Sequence, residues 1–350
     1  MTETNDRSAL FRGVTALAPM ATGGNLPYRR LCREFGAGMT CCEMIVAHKL
    51  VKGSRRELPL LRRHPDERPF GIQLAGSRPE VLAEVARLAV ERHGCDFLDL
   101  NFGCPIDVMV RRGLGAAVLK RPGRLEALVA AVRRAVPDVP LVVKLRTGWS
   151  ERKVNVLDTA RAAVAGGADA LVVHGRTREQ RYRRAADWDL IAAVAAAVPV
   201  PVLGNGDILT VWDARRRLAE TGVAGLSIAR GALIKPWIFR ELCEDRPWYP
   251  TTAERWGILR RYLELAREHF GDDAVGMERV RRFFLWHMEF WHRYRPWTER
   301  QWRDALPGVL IQQRDEPVTG DPEAALLASP DPADHERVWR RLLDGDHPGA

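Results

Sequence analysis

Eight short apolar runs alternate with longer amphipathic stretches between Val14 and Ala229, and this alternation constrains the fold more than any other feature of the sequence. The runs are Val14–Ala18, Met39–Met44, Phe70–Leu74, Phe97–Asn101, Leu141–Arg146, Ala170–His174, Pro201–Asn205 and Gly225–Ala229. Each is short, rich in Val, Ile, Leu or Ala, and reads as a strand. Pro79–His93, Arg124–Val136, Val154–Gly166, Trp188–Val198 and Thr210–Thr221 carry apolar residues at helical spacing. Eight strands alternating with helices predict an α/β chain built as a (β/α)8 TIM barrel. A doubly wound open sheet is the alternative. The count of eight, and the lack of a Gly-x-Gly-x-x-Gly turn after the first strand, favour the barrel.

The pattern changes after Pro236. Thr251–Phe270 and Met277–Arg293 read as amphipathic helices rich in Trp, Arg and Glu, preceded by a linker at Pro247 and Pro250. From Asp315 to Pro330 the chain turns acidic and proline-rich, and Pro332–Leu343 predicts a last helix. The expected organisation is a barrel domain over residues 1–243, followed by a small all-helical domain and tail over residues 250–350.

The longest apolar run, Ile191 to Leu203, is Ala-rich and broken by Pro199 and Pro201, too short to span a bilayer. Met1–Arg12 is polar and lacks the apolar centre of a signal peptide. A cytoplasmic protein without membrane contact is therefore expected. The six cysteines, Cys32, Cys41, Cys42, Cys95, Cys104 and Cys243, match no metal or redox spacing, so they read as thiols and no metal is predicted. A formal net charge of +9, carried largely by arginine, favours a polyanionic partner. High-GC codon usage would explain the arginine excess over lysine but not the net charge.

A barrel keeps its chemistry at the C-terminal strand ends. Here these ends read Ala18-Pro19-Met20, Gln73, Asn101-Phe102-Gly103-Cys104-Pro105, Lys144 and Arg146, His174-Gly175-Arg176, Gly204-Asn205-Gly206-Asp207 and Ala229-Arg230-Gly231. Polar groups recur where a core would take apolar ones. Gly206, Arg230 and Gly231 suit a phosphate, since backbone N–H groups at glycines approach anions closely and barrels place such sites after strands seven and eight; a tight turn alone is the plainer reading. Lys144 sits in an apolar strand and needs a partner, for which a reduced flavin ring is one candidate. Gln73 could bond the ring edge. Either residue could instead be satisfied by protein carbonyls. Cys104 stands between Gly103 and Pro105; a thiol with a pKa near about 8.5 is protonated at neutral pH and can donate a proton, though most free cysteines are small apolar fillers. Arg176, Arg178, Arg181, Arg183 and Arg184 crowd one loop beside His174, and Arg279, Arg281, Arg282 and Arg293 crowd a later helix, as a nucleic-acid partner would require.

Taken together, Ala18-Pro19-Met20, Asn101-Phe102-Gly103-Cys104-Pro105, the run from His174 to Tyr182, Ala186-Asp187-Trp188 and Gly204-Asn205-Gly206-Asp207-Ile208 resemble the tRNA-dihydrouridine synthases, in order and in spacing, from about Val14 to Phe239. Cys104-Pro105-Ile106-Asp107, the run from Ile228 to Trp237, and Leu326-Leu327-Ala328-Ser329-Pro330 resemble the eukaryotic branch acting on the tRNA variable loop at position 47. No Cys/His zinc-finger segment precedes the barrel in this sequence, unlike many members of that branch. Arg183-Arg184 stands where many bacterial members have Ser/Thr-Gly. The resemblance implies bound FMN, NADPH as reductant and tRNA as partner and substrate. Uridine would be reduced by hydride from flavin N5 to C6 and a proton from Cys104 to C5. It implies that Pro19, Met20, Gln73, Lys144, His174, Asn205, Gly206, Arg230 and Gly231 hold the flavin, with Asp207 and Ala229 beside them, and that Asn101 lies near flavin and base. Arg146, Arg176, Arg178, Arg181, Arg281 and Arg282 are the expected substrate and RNA contacts, and a monomer is expected. Two rivals share parts of this pattern. A small-molecule flavin reductase of the dihydroorotate or dihydropyrimidine type would not need the arginine loop, and a non-catalytic RNA-binding barrel would need neither Cys104 nor Lys144.

Overall fold

The computed structural model describes residues 6–305, 318 and 320–348; the first five residues of the polar N-terminus and the start of the acidic stretch at Asp315 lie outside the described residues. In chain order the strands are β1 (Thr15–Leu17), β2 (Thr40–Cys41), β3 (Ile45–Val46), β4 (Phe70–Ala75), β5 (Phe97–Asn101), β6 (Leu141–Arg146), β7 (Gly148–Ser150), β8 (Lys153–Val154), β9 (Ala170–His174), β10 (Val202–Asn205) and β11 (Gly225–Ile228). The parallel strands run β1-β11-β10-β9-β6-β5-β4-β2, and β3 also pairs with β4. A bridge between Ala16 and Met39, with the Leu17 N–H donating to the Met39 carbonyl at 2.9 Å, closes the ring. The result is the expected TIM barrel.

One predicted strand is interrupted. Met39–Met44 divides into β2 and β3, which share a single barrel position beside β4. At the break the Gln73 N–H donates to the Cys42 thiol at 3.3 Å, and the Glu43 carboxylate turns away to accept from the Thr22 N–H at 2.9 Å. The helix Pro79–His93 has its predicted bounds, and Pro122–Ala135, Val156–Ala165, Trp188–Ala197 and Val211–Thr221 lie close to theirs. Thr210 caps the last of these through a reciprocal box with Asp213. The antiparallel β7–β8 hairpin was not expected: strands of three and two residues are too short to show a period.

Strand alternation sorts the side chains. On β6, Leu141, Val143 and Leu145 face the helical shell, while Val142 faces the barrel axis, with Lys144 and Arg146 above it. On β5, Leu98 and Leu100 face the shell and Phe97 the axis. A separate apolar cluster of Phe11, Ala16, Met39, Cys41, Phe97, Val142, Ala170, Val172 and Leu203 fills the lower barrel. Phe11 plugs its floor edge-on to Phe97, ring centroids 5.7 Å apart. Gly71 makes room for that ring, since a Cβ there would come within 2.2 Å of it.

Beyond the barrel, Thr252–Phe270 packs along Leu26–Glu34, and Ala274–Trp291 packs on Thr252–Phe270 and on the short helix Arg230–Ile234. Ala274–Trp291 starts one turn before its predicted Met277, because Asp273 caps it by accepting from the Val275 and Gly276 N–H groups. Pro332–Asp344 is the expected last helix; Ile238–Cys243, Glu299–Asp304 and Pro322–Leu327 were not predicted. A single apolar cluster runs from the barrel shell through Tyr28 into Tyr262, Phe283 and Trp291. Ion pairs Arg261–Glu34 (2.7 Å) and Arg30–Glu268 (2.8 Å) flank that seam. Among the described residues no helix is long and apolar enough to cross a membrane.

Candidate active site

Above the apolar floor, the axis-facing positions turn polar on strand after strand. β4 contributes Gln73, β5 Asp99 and Asn101, β6 Lys144 and Arg146, β9 His174, β10 Asn205 and β11 Ser227. Two hydrogen-bonded sets cross this layer. Gln73 Nε2 donates to Asp99 Oδ2 (2.8 Å), Asn101 Nδ2 donates to Gln73 Oε1 (2.8 Å), Lys144 Nζ donates to Asn205 Oδ1 (3.2 Å), and Asn205 Nδ2 donates to the Ser227 carbonyl (2.6 Å). Burial pushes the Lys144 ammonium down to about 8, against the nearby Asp99 carboxylate, which favours its charge. Burial likewise pushes Asp99 up to about 6, against the Gln73 hydrogen bond and Lys144.

The segment after β5 is pinned on both sides of Cys104. Asn101 Oδ1 accepts from the N–H groups of Gly103 (3.1 Å) and Cys104 (2.8 Å), Arg146 Nε donates to the Gly103 carbonyl (2.8 Å), and the Ala116 N–H donates to the Cys104 carbonyl (3.0 Å). Gly115, at φ +57°, lies against Cys104 so closely that a Cβ would meet its carbonyl oxygen at 2.7 Å. The thiol is half-buried. Burial raises its pKa, while Arg146 and Lys144 favour the thiolate to a lesser degree. It is therefore a protonated group beside two cations.

On the opposite wall His174 is buried, and its pKa falls well below the usual value, through burial first and then through Arg146, Lys144, Arg176 and Arg230. Its Nε2 lies 3.2 Å from Arg176 Nη1. A guanidinium only donates, so Nε2 accepts, and the proton of the neutral ring sits on Nδ1. Beside it a small cavity of about 30 Å³ is lined by Tyr182, Asn205, Gly206, Ser227, Ala229 and Arg230, among others. Gly206 lets the Ala186 segment pack against the end of β10, and Gly231 lets the backbone at Ile208 pack against the end of β11: a Cβ would fall 2.5 Å from Ala186 Cβ or 2.1 Å from the Ile208 carbonyl oxygen. Asp207, at φ +53°, faces Arg230 (3.5 Å), and both of its carboxylate oxygens accept from the single Nη2 of Arg176 (2.7 Å each). One carboxylate between two guanidiniums leaves the pocket one net positive charge. The half-exposed Tyr182 ring lies under Arg230 (4.7 Å) and Arg146 (5.5 Å). Pro19 and Met20 are half-buried at the end of β1.

The arginines expected on the RNA side divide. Arg176 is fully buried, with its Nε also on the Arg184 carbonyl, and Arg146 is buried on Gly103, Thr177 and Arg181 carbonyls. Both guanidiniums are held inside the chain by these partners. Arg178 and Arg181 both bind Asp107, tying the arginine loop to the helix that follows Cys104. Arg281 pairs with Glu336 on the last helix, so its charge is also engaged within the chain. Arg282, Arg183 and Arg184 are exposed. Asp99, Tyr182, Ser227 and Asp107 had no assigned role in the sequence; Asp99 at an axis-facing position of Phe97–Asn101 was legible from strand alternation alone.

A family model described as dihydrouridine synthase matches residues 16–316, spanning the barrel, the pinned Cys104 segment and the first helices beyond it. The chain belongs to the dihydrouridine synthase family. Its relatives include a tRNA-dihydrouridine(47) synthase [NAD(P)(+)] of Coprinopsis cinerea, 40% identical over 348 residues, covering 95% of this chain and 51% of that protein. The tRNA-dihydrouridine(47) synthase [NAD(P)(+)]-like proteins of Mus musculus and Homo sapiens are each 43% identical, over 342 and 337 residues, covering 96% and 95% of this chain and 52% and 51% of those proteins. The chain thus spans about half the length of the curated relatives it matches. Among solved structures, histamine dehydrogenase from Rhizobium sp. 4-9 superposes with a TM-score of 0.52 at 15% identity, covering 72% of this chain and 48% of that one. The complex of 2-naphthoyl-CoA reductase with 2-naphthoyl-CoA gives 0.51 at 16%, covering 67% and 50%. At those identities the likeness is one of fold. Among the described residues of this family member, no group of three or more His, Cys, Asp and Glu is placed to hold a metal ion.

Proposed function

We propose that this chain reduces the C5–C6 double bond of a uridine in tRNA, with FMN bound at the barrel mouth and NADPH as the source of electrons. The observation that carries the reading is Cys104, its backbone pinned by Asn101 and its thiol pushed up by burial, at the same mouth as Lys144, Asn205 and His174. The donor set fits a flavin mononucleotide. Gly206 and Gly231 bring bare backbone to a pocket with one net positive charge, which suits a phosphate, and Lys144 offers an ammonium to an electron-rich ring edge. FMN held there would supply the hydride for C6 of the uracil.

The chain's own residues do the rest. Lys144, whose charge is supported by Asp99, offsets negative charge on the reduced ring. Gln73 and Asn101 orient polar edges, and the neutral His174 offers an Nδ1–H donor. Pro19, Met20, Ala229 and Asp207 complete the wall on the flavin side. Cys104 donates its proton to C5, and Arg146 with Lys144 then stabilises the thiolate left behind. The uracil must leave its stack to reach this mouth, and phosphate contacts by exposed arginines such as Arg183, Arg184 and Arg282 offset that cost. Residues 1–243 would form the catalytic unit and residues 250–350 the RNA grip. The names of the relatives support position 47 as the target.

Protein loaded with FMN, reduced anaerobically with NADPH and mixed with unmodified tRNA tests the reading. Return of the oxidised flavin spectrum together with dihydrouridine in the RNA is expected. A protein that takes up no FMN overturns it, and turnover of free pyrimidines in preference to tRNA supports the small-molecule rival instead.

A further inference from the structure

Asp99 is buried at 2% exposure in the barrel interior, and none of the steps above uses it directly. One oxygen, Oδ2, accepts from Gln73, while Oδ1 is buried without a hydrogen-bond partner. A buried carboxylate is costly to keep, and its pKa is accordingly raised to about 6. The hydrogen bonds around it have a direction. A carboxylate accepts only, so Gln73 must turn Nε2 toward Asp99 and Oε1 toward Asn101 (2.8 Å at each step). Asn101 then turns Nδ2 toward Gln73, which leaves Oδ1 facing the N–H groups of Gly103 (3.1 Å) and Cys104 (2.8 Å). Those backbone groups donate only. The chain of two amides is therefore bounded by an acceptor at one end and donors at the other, and both ends demand the same orientation.

An amide has no such preference of its own, because its two ends differ little in shape. Without an acceptor at position 99, the Gln73 amino group would be buried unpaired, and rotating that amide would set its nitrogen against the Asn101 nitrogen. Asn101 would then have to choose between Gln73 and the Cys104 backbone. We propose that Asp99 is a positioning residue: by fixing the direction of the Gln73–Asn101 amide chain, it holds the backbone at Gly103–Cys104 and thereby sets where the Cys104 thiol stands. The functional consequence rests on Cys104 being the proton donor; the positional claim does not.

Two substitutions separate direction from charge. Asp99→Asn can keep an oxygen toward Gln73 while losing the charge, and Asp99→Leu removes the acceptor altogether; Asp99→Val serves as the apolar variant should Leu not fold. The readout is the rate at which iodoacetamide alkylates Cys104, followed on its own peptide by mass spectrometry, with a melting curve for each variant. The apolar variant is expected to change that rate by about fivefold or more, and Asp99→Asn to stay within about twofold, the scale on which one net hydrogen bond biases a conformation. In FMN-loaded protein the apolar variant should slow flavin reoxidation by tRNA more than Asp99→Asn does, since both lose the charge beside Lys144 and only the apolar variant loses the acceptor. A cooperatively melting apolar variant with parent-like alkylation overturns the proposal, and so does an Asp99→Asn variant as perturbed as the apolar one, which would assign the effect to charge. If tRNA fails to reoxidise even the parent protein, the functional reading falls, while the alkylation rates still decide the role of Asp99.

Discussion

Replacing Arg176 by Ala separates an RNA contact from an interior support. The side chain is fully buried; its Nη2 donates to both Asp207 oxygens, its Nε to the Arg184 carbonyl, and its Nη1 lies against His174 Nε2. Removing it leaves the Asp207 carboxylate, itself mostly covered, without its main partner. Breaking a buried pair from one side costs about 3–5 kcal/mol. The Arg230 guanidinium at 3.5 Å from Asp207 can compensate in part, which places the expectation toward about 3 kcal/mol. At about 2.1 cal/mol/K of unfolding entropy per residue, a loss of that size should lower the melting temperature by roughly 4 °C in a chain of 350 residues. Thermal and urea unfolding measure it directly. Binding of tRNA across a salt series supplies the contrast: a lost phosphate contact would flatten the log–log salt slope by about one unit, whereas the loss of an interior support leaves the slope unchanged. An Arg176→Ala variant that melts with the parent and binds tRNA with a flattened slope would refute the interior role and restore the arginine to the RNA surface.

Other outcomes follow from the same geometry. His174 is depressed well below its ordinary pKa, so its neutral form contributes stability above about pH 6.5 that is lost as the pH falls and the unfolded chain takes up the proton first; urea unfolding between pH 7.5 and 5 should show a shallower acid-side loss in His174→Gln than in the parent, and an identical loss would count against this. Arg281→Ala breaks a half-exposed pair with Glu336 and should cost only about 0–1 kcal/mol with little change in RNA affinity, and a clear fall in the salt slope would contradict that. Arg282→Ala, by contrast, should flatten the tRNA salt slope by about one unit with no change in melting, and a parent-like slope would remove it from the RNA surface.

The barrel was legible because its strands obey one rule repeatedly: two-residue alternation between shell and axis, closed off by polar residues at the C-terminal end. That rule reached Lys144, Asn205, His174 and Gln73 by name. It stopped short at β2–β3, where a thiol and a carboxylate replace regular pairing, and at β7–β8, where the strands are too short for a period. It also could not tell an exposed arginine from a buried one. Arg176 and Arg181 lie in one loop, yet one is sealed under the pocket and the other is exposed and reaches across to Asp107. Which of them meets solvent is decided by Asp207 and Asp107, far off in the chain. Asp99 was missed for a different reason: an acidic residue within an apolar strand was visible, but its partner Gln73 lies on a neighbouring strand, and only the register brings them together.

The central claim is that Cys104 gives the proton that completes reduction of the uracil. Single-turnover mixing of NADPH-reduced, FMN-loaded protein with unmodified tRNA, with dihydrouridine quantified in the RNA, tests it most directly when parent and Cys104→Ala are compared side by side. General acid catalysis of this kind is worth about 10²–10⁴-fold. The account predicts that Cys104→Ala keeps its flavin, its reduction by NADPH and its tRNA affinity while its rate of dihydrouridine formation falls within that range; formation of dihydrouridine at the parent rate would show that another group, or water, delivers the proton.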